Sequence, residues 1–280
     1  MLLCDRKRSE FVILPPSGQA VPALFRNQQA DSRAHFDLLA KVQRFRGQIY
    51  LQDGAITAHE LTRDGRHKSP VDDESWHVVS LDRNGRVCAC LRFLEESHMC
   101  NFDDLWVSRA AAARSIHGKA FRRAVEREIS SARDTGVRFG EVGGWAVAEE
   151  YRNTPEPLRI ILATYGLLEM LGSCVGVATA TWRHSSAQIL RRIGLTPLFV
   201  DGAALPPYHD PAYDCEMEVL RFDSRVPNPK YLSTVKDLTN SLPHAPLVCQ
   251  KGPRLAVREH AIRTFEFPLH DGMPALAPVA

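Results

Sequence analysis

The sequence lacks a long apolar run and lacks an excess of charge. No stretch of about 18 apolar residues occurs, so no transmembrane segment is expected. The 35 lysines and arginines nearly balance the 33 aspartates and glutamates, which leaves a net charge of +2. A protein whose main partner is nucleic acid carries a much larger basic excess. We therefore expect neither a membrane-spanning protein nor one that binds nucleic acid.

The sequence also lacks a recognisable cysteine or histidine motif. Its seven cysteines are odd in number and none has C-x-x-C spacing, so reduced thiols are expected rather than disulfides or a zinc site. His67, His77 and His98 are too scattered for a metal site. The opening MLLCDRKRSEFVILPP has charges from Asp5 to Arg8 that interrupt any signal-peptide core. These absences predict a cytoplasmic protein without a metal or a permanently bound cofactor.

Apolar residues make up 44% of the 280 residues, which is enough to bury a substantial core. SWHVVSL and RVCACLRFL flank the sequence DRNG, Asp82 to Gly85, whose Asn-Gly pair predicts a β-hairpin turn. Apolar residues recur at three- and four-residue steps from Ile116 to Ala132, as in an amphipathic helix. The segments that follow alternate in type: a strand over 137–147, a helix over 154–171, the strand SCVGVATAT, the helix HSSAQILRRI, and the strands LTPLFV and CEMEVLRF. This order predicts a mixed α/β domain with parallel strands at its centre.

The distribution of these segments divides the chain into three parts. Residues 1–35 lack sustained periodicity and are predicted to form an N-terminal arm. Residues 36–222 hold the predicted helices and strands and form the α/β domain. Residues 223–280 are rich in proline and are predicted to be a partly ordered C-terminal extension.

The stretch EVGGWAVAEEYRN, Glu141 to Asn153, places two glycines inside an apolar strand. Glycine tolerates unusual backbone angles and lets another group approach the main chain, so Gly143-Gly144 predicts a β-bulge. The main-chain groups of Trp145, Ala146 and Val147 could then serve an extended substrate. A bulge that only bends the strand is the alternative interpretation.

Two segments resemble a known family. AVAEEYR, Ala146 to Arg152, resembles the end of the fourth strand in GNAT-fold acyltransferases, and ATWRHSSAQILRRIGLTPL, Ala180 to Leu198, resembles the strand and helix that follow it. The resemblance implies a GNAT fold: a central mixed, twisted sheet flanked by helices, with a splayed fourth strand. It also implies an acyl-phosphopantetheine donor as co-substrate. The implied donor-binding residues are Trp145, Ala146, Val147, Arg152, Asn153, His184, Ser185 and Ser186. The alternative for Arg152 is a surface arginine without a role in donor binding. The alternative for His184 to Ser186 is a helix cap.

The turn after Arg152 departs from the acetyl-CoA enzymes of that fold. In those enzymes a glycine-rich turn offers N–H groups to a pyrophosphate at a helix N-terminus. Here Pro155 and Pro157 stand at the glycine positions, and proline has no N–H to donate. Glu156 adds negative charge at the same place. A donor with a single phosphate, such as the phosphopantetheine of an acyl carrier protein, is therefore favoured over coenzyme A.

A narrower resemblance concerns residues 39–92, which are similar to two groups of carrier-protein-dependent enzymes: acyl-homoserine lactone synthases and N-acyl amino acid synthases. The implied acceptor-side residues are Arg44, Tyr50, Asp72 and Asp73, and the implied catalytic residues are Arg92 and Glu141. Asp72 and Asp73 could instead belong to a solvated loop, and Glu141 could be a buried partner of an arginine. Gly144 stands where the lactone synthases have an arginine, which favours the N-acyl amino acid synthases.

The expected activity is transfer of a fatty acyl group from acyl carrier protein, or acyl-CoA, to the amine of an amino acid or similar small acceptor. Glu141 would take the proton of the amine, main-chain N–H groups near Ala146 or Val147 would bind the thioester oxygen, and Arg92 would pair with an acceptor carboxylate. Three alternatives remain open: a lactone-forming signal synthase, an acetyl-CoA-dependent transferase, and a non-catalytic module that binds lipid or protein.

Overall fold

A computed structural model describes residues 9–251 of the chain. The helices are α1 Ser32–Gln52, α2 Ala111–Arg114, α3 Gly118–Thr135, α4 Glu149–Arg152, α5 Glu156–Met170, α6 Ser186–Ile193 and α7 Leu232–Ser241. The strands are β1 Glu10–Leu14, β2 Gln28–Ala30, β3 Trp76–Leu81, β4 Val87–Glu95, β5 Arg138–Val147, β6 Cys174–Thr181, β7 Thr196–Pro197, β8 Phe199–Val200, β9 Ala203–Ala204, β10 Tyr208–Asp210, β11 Cys215–Asp223 and β12 Leu247–Cys249.

One mixed sheet organises the described residues. Its strand order is β10-β11-β6-β5-β4-β3-β1-β12-β2, and β7 also pairs with β11. Three pairs are parallel, namely β5 with β6, β1 with β12, and β12 with β2. The other pairs of this sheet are antiparallel, and β8 and β9 form a separate small hairpin.

Helices cover both faces of the sheet. On one face α5 packs against β3 and β4 and contributes most of its residues to the largest hydrophobic core. On the other face α1 packs on β4 and β5, and α3 packs on β5 and β6, each over its own apolar cluster. The sequence predicts a mixed sheet flanked by helices, and this prediction is confirmed.

The predicted hairpin is present as β3 and β4, joined at Asp82 to Gly85. Gly85 has a positive φ of 71°, and the Asp82 carboxylate accepts hydrogen bonds from the N–H groups of Asn84 and Arg86, both at 2.9 Å. An aspartate that closes a tight turn in this way explains why the local sequence alone was sufficient to predict it.

The two ends of the described region differ from the sequence prediction. Residues 1–35 were expected to be an arm, but Glu10–Leu14 is a strand between β3 and β12, with four of its five residues buried. Residues 223–280 were expected to be a partly ordered extension of the domain, but α7 packs against α5 and β12 joins the sheet itself. Both segments are short, and the register pairs Ile13 with Leu247, so no local pattern announces them. Residues beyond Lys251 lie outside the described region.

β5 is the splayed strand. It pairs in parallel with β6 from Arg138 to Val142, and the pairing ends there although both strands continue. Against β4, the register moves from Cys90 opposite Ala146 to Arg92 opposite Gly143, so β5 carries one extra residue. Gly144 has φ +63°, as a bulge residue in the left-handed region does. The predicted splay and the predicted bulge therefore occur together.

Candidate active site

A cleft of about 970 Å³ enters the sheet where β5 and β6 separate. Its walls come from α1, β4, β5, β6 and the segment that follows Leu105. The cleft is lined by each residue that the sequence assigned to the donor: Trp145, Ala146, Val147, Arg152, Asn153, His184, Ser185 and Ser186. Tyr50, Arg92 and Glu141 also line it, so the splay gathers residues far apart in sequence.

The floor of the cleft contains a buried cluster of charges around Asp72. Its side chain is 1% exposed and accepts bonds from Arg46 Nη1 at 3.0 Å, Arg46 Nη2 at 2.6 Å and Arg92 Nη1 at 3.1 Å. Gln43 Nε2 and the Ser69 N–H complete its shell at 3.1 and 2.9 Å. Burial by itself would raise the pKa of Asp72, but the hydrogen bonds and charge of Arg46 hold it well below its usual range. Asp72 is therefore ionised, and a solvated loop is excluded for it.

Arg46 is a residue that the sequence analysis missed. Arg44, predicted for the acceptor side, lies on the opposite side of α1, where it pairs with Asp64 at 2.8 Å and is half exposed. Asp73 is exposed and accepts a bond from Ser17 Oγ at 3.2 Å, away from the cleft lining. Of the predicted acidic pair, Asp72 lies in the buried cluster and Asp73 does not. The arginine in the cluster from α1 is Arg46 and not the predicted Arg44, two residues earlier.

The glycine pair makes room for the two buried arginines. A Cβ at Gly144 would lie 3.2 Å from Arg46 Nη1 and 3.3 Å from Arg92 Cβ, and one at Gly143 would lie 3.6 Å from Arg92 Nη2. Since Gly144 also has a positive φ, both its backbone and its surroundings favour glycine. The glycines therefore do more than bend the strand.

Glu141 lies on β5 and is 8% exposed. Its carboxylate accepts hydrogen bonds from the main-chain N–H groups of Trp106 at 2.5 Å and Val107 at 2.8 Å, the first turn of a 3-10 helix over Trp106–Arg109. These two hydrogen bonds come from main-chain groups rather than from an arginine side chain. Burial raises the pKa of Glu141, and the two amide bonds oppose that shift in part.

The end of β5 presents main-chain groups to the splay. Ala148 donates to the carbonyl of Cys88 on β4 at 2.9 Å. Main-chain groups of successive strand residues alternate between the two edges, so those of Val147 point away from β4 and into the splay. The Val147 carbonyl accepts from Arg152 Nε at 3.2 Å, and the Trp145 carbonyl accepts from Tyr50 OH at 3.4 Å.

Asp53, at the end of α1, ties the rim of the cleft together. Its carboxylate takes two bonds from Arg152 Nη2, at 2.9 and 2.8 Å, and lies 3.3 Å from His184 Nε2. Arg183 donates to its carbonyl. His184 and Ser185 have φ of 54° and 60°, the left-handed region that non-glycine residues rarely adopt. The predicted phosphate-binding Arg152 is thus on the rim, already paired with a carboxylate.

The N-terminus of α5 has no cradle for a diphosphate. Pro155 and Pro157 have no N–H, and the N–H of Glu156 donates to Thr154 Oγ1 at 3.2 Å. The Glu156 carboxylate is buried and accepts from Ser9 Oγ at 2.7 Å and Arg159 Nη1 at 3.0 Å. The structure therefore fills with protein groups the place where the acetyl-CoA enzymes have their glycine-rich turn.

Two features are absent from residues 9–251. No group of three or more histidine, cysteine, aspartate or glutamate side chains is arranged to hold a metal ion in that range. No helix in it has the length and apolar character needed to cross a membrane.

No protein-family model matches the chain, and no curated protein matches it. Solved structures do share its fold. The CoA-dependent acyl-homoserine lactone synthase MesI superposes with a TM-score of 0.51 at 14% identity, over 82% of this chain and 95% of MesI. TofI, in a ternary complex with an inhibitor and MTA, has a TM-score of 0.50 at 14% identity, over 83% of this chain and 99% of TofI. FeeM, an N-acyl amino acid synthase from uncultured soil microbes, has a TM-score of 0.42 at 13% identity, over 78% of this chain and 92% of FeeM. The fold of this chain is therefore the GNAT acyltransferase fold that its sequence resembles.

Proposed function

We propose that this chain is an N-acyltransferase that moves a fatty acyl group from a thioester donor to the amine of an amino acid or similar small acceptor. One observation carries the proposal. A single cleft at the splay of β5 and β6 holds an open strand edge, the carboxylate of Glu141 and the buried arginines on Asp72. These are groups that acyl transfer to a carboxylate-bearing amine needs.

The donor would lie along the splayed edge of β5. An extended phosphopantetheine arm can pair with strand edges that have lost their neighbour, and the thioester oxygen would accept from the N–H of Val147. A preorganised N–H donor stabilises the oxyanion of a tetrahedral intermediate more than it stabilises the ground-state carbonyl. The carbon–nitrogen bond then forms as the carbon–sulfur bond breaks. The proton that the attacking nitrogen loses as it becomes an amide goes to the thiolate, which leaves as the free thiol.

The acceptor would sit over Arg92. Two guanidinium groups share the one carboxylate of Asp72, so the cluster has an excess of positive charge. Arg46 is committed to Asp72 and to the His67 carbonyl at 2.6 Å, whereas Arg92 gives only Nη1 to Asp72, and its buried Nε has no partner among the described residues. A carboxylate on the acceptor would satisfy Arg92 by charge-assisted hydrogen bonds.

Glu141 would remove the proton of the acceptor amine. Its raised pKa brings the carboxyl closer to the range in which a general base is effective. Replacement by glutamine keeps the size and removes the base, so kcat/KM is expected to fall by about 100-fold or more. Glu149→Gln is the matched control, since Glu149 lines the same cleft and is exposed. An unchanged kcat/KM in Glu141→Gln would exclude Glu141 as the base.

An acyl carrier protein is the preferred donor because α5 offers no diphosphate site. The single phosphate of its arm needs one cation, and Arg152 on the rim is suitably placed along the cleft. Acyl-CoA is the second donor to test, because MesI, which shares the fold, is described as CoA-dependent.

In the decisive experiment, the purified protein is mixed with pooled amine acceptors and one donor at a time. The donors are acyl carrier proteins charged with acyl groups of different chain lengths, acetyl-CoA, and longer acyl-CoA. The products are identified by intact mass spectrometry. A new N-acyl amino acid would support the proposal, and its mass would identify both substrates. An acyl-homoserine lactone as product would favour the lactone synthase, and transfer of acetyl groups alone would favour an acetyltransferase. No product from any donor would leave the non-catalytic binding module.

A further inference from the structure

Glu96 lies beside Glu141 on the same face of the sheet. The N–H of Glu96 donates to the Phe139 carbonyl at 3.0 Å, which continues the β4–β5 ladder past Glu95. Leu94 lies directly opposite Glu141 in that ladder. Glu96 follows Leu94 by two residues, so it is the diagonal neighbour of Glu141. Their carboxyl groups are close enough to interact, because the charge of Glu141 is among the causes that raise the pKa of Glu96.

The pair of carboxyl groups connects two cavities. Glu141 lines the large cleft, where the acceptor amine is proposed to bind. Glu96 lines a second cavity of about 120 Å³ together with His98 and Arg133, and none of its lining residues lines the cleft. The two glutamates therefore form a short path from the interior of the cleft to a separate opening at the surface.

One proton is shared by this pair. Two neighbouring carboxylates, one buried and one half-buried, cannot both be ionised without a large repulsion. Glu141 receives two main-chain N–H bonds, whereas Glu96 Oε1 is buried without a partner among the described residues. The negative charge is therefore best placed on Glu141 and the proton on Glu96, which donates it to Glu141.

The charged and titratable groups around the pair support this assignment. Arg92 on β4 faces Glu141 and favours its ionised form. Besides Glu141, the charges that act on Glu96 are those of Asp104 and Glu74. The Cys100 thiol and Arg133 line the same cavity as Glu96. Burial first, and then the charge of Glu141, raises the pKa of Glu96 to about 8.

We propose that Glu96 is a positioning residue that acts through Glu141, as the second member of a carboxyl relay that carries the acceptor's proton out of the cleft. The inference rests on the proposed function. The ammonium nitrogen of the acceptor loses one proton to Glu141, and Glu96 releases its own proton to water in the second cavity. The proton between the two carboxyl groups moves from one to the other, so the pair returns to one proton and one negative charge. The neutral amine is left to attack the thioester.

The relay has a physical purpose in this cleft. With donor and acceptor bound, the cleft is filled, and a proton held by Glu141 alone would have to return to the amine or wait for a ligand to leave. Transfer through Glu96 opens a route that the substrates do not block, because the second cavity has its own lining.

The test is the pH dependence of kcat/KM in Glu96→Gln. The glutamine amide can still donate to Glu141 but cannot pass a proton on. At pH 6 to 7, where the acceptor is an ammonium ion, kcat/KM is expected to fall by about 100-fold, the size of a lost acid–base contribution. Above the pKa of the acceptor ammonium the amine arrives neutral, so the difference from the unaltered protein should shrink towards onefold.

The matched control is Glu95→Gln. Glu95 lines the same second cavity and pairs with Arg138 at 3.2 Å on the surface. It lies opposite Gly140 in the β4–β5 ladder and is not a member of the proposed relay. It should show the unaltered pH profile. A defect in Glu96→Gln that is equal at every pH, or no defect at all, would overturn the relay.

A second measurement separates the relay from the proposed function. Carbon-13 NMR of the glutamate carboxyl carbons, on the protein without substrates, should show one group that titrates near pH 8. That signal should be lost in Glu96→Gln and should move to lower pH in Glu141→Gln. Titration of Glu96 at the ordinary pH of a glutamate would overturn the shared proton even if acyl transfer occurs. Absence of acyl transfer from every donor would instead refute the proposed function, whatever the NMR titration shows.

Discussion

Arg46 and Asp72 form a two-point ion pair whose side chains are each 1% exposed, with Nη1–Oδ1 at 3.0 Å and Nη2–Oδ2 at 2.6 Å. They come from α1 and from the loop before β3, and Arg92 on β4 joins them at the same carboxylate. Through Asp72, the helix that covers the cleft is therefore held to the sheet beneath it.

Asp72→Asn is expected to destabilise the protein strongly. It leaves two buried guanidinium groups without a counter-charge, and loss of one member of a buried ion pair typically costs about 3–5 kcal/mol. The free energy of unfolding from urea titrations measures this. Asp73→Asn, at the exposed neighbouring position, should change it by less than about 0.5 kcal/mol. Equal losses in the two variants would contradict the hub role of Asp72.

The same pair predicts an acid-labile step. The folded protein lowers the pKa of Asp72 below the unfolded value of about 3.9, so the stabilisation is complete above that value and is lost as the pH falls below it. Unfolding free energies measured from pH 6 down to pH 2 should decline in this range. Asp72→Asn should flatten that part of the decline, and an identical slope in both proteins would count against the assignment.

Gly144→Ala tests the close approach of the arginines. A β-carbon there meets both a positive φ and Arg46 Nη1, whereas Gly85 has a similar φ of 71° and nothing within 4 Å of its added Cβ. Gly85→Ala should therefore lose only the backbone term, about 1–2 kcal/mol. Gly144→Ala should lose more and should also raise KM for the acceptor. If thermal unfolding and KM are alike in the two variants, crowding by the arginines is not the reason for the glycine.

Arg92→Lys is expected to weaken binding of the acceptor and to leave binding of the donor unchanged. Lysine keeps the charge but not the planar fork that pairs with a carboxylate, so KM for the acceptor should rise by about tenfold or more. Initial-rate kinetics with each substrate varied separately show the split. Arg44→Lys, which alters only the surface pair with Asp64, should leave both KM values unchanged. A rise in KM for the donor alone would move Arg92 to the other substrate.

Asp53→Asn is expected to tighten donor binding. Asp53 occupies Arg152 and contacts His184, so its neutral isostere frees positive charge for a donor phosphate. A partly exposed pair is worth up to about 1 kcal/mol, which corresponds to a KM for the donor lower by about fivefold. Asp37→Asn, on the same helix and paired with Arg33 at 3.8 Å on the surface, is the control. A higher KM for the donor in Asp53→Asn would mean that Asp53 is needed to hold the residues of the rim in place.

Local chemistry is what made part of this structure predictable. The Asn-Gly turn of the hairpin and the bulge at Gly144 both follow from backbone angles that few residues adopt. The residues predicted for the donor came from the resemblance to GNAT-fold enzymes, whose matching segments are two short continuous stretches of this sequence. The structure places both stretches along the cleft.

The arginine proposed for the acceptor side was harder to predict, because its position depends on the orientation of one helix. Arg44 and Arg46 are two residues apart and so project from nearly opposite sides of α1. The buried side of this helix includes polar groups, Gln43 and Arg46, which interrupts the apolar periodicity. The helix runs to Gln52, and Arg46, the arginine that binds Asp72, lies among the polar residues that hide its buried side in the sequence.

The position of β12 between β1 and β2 has a consequence for how the chain reaches its native state. Both neighbours are synthesised first, yet each leaves an edge open until residues 247–249 have emerged from the ribosome and returned across the whole domain. Pairing over such a long sequence separation is slow, and open strand edges attract other chains in the meantime. Nascent or truncated chains that stop before Leu247 should therefore be prone to aggregation, and folding of the sheet should be completed only after almost the whole described region has been made.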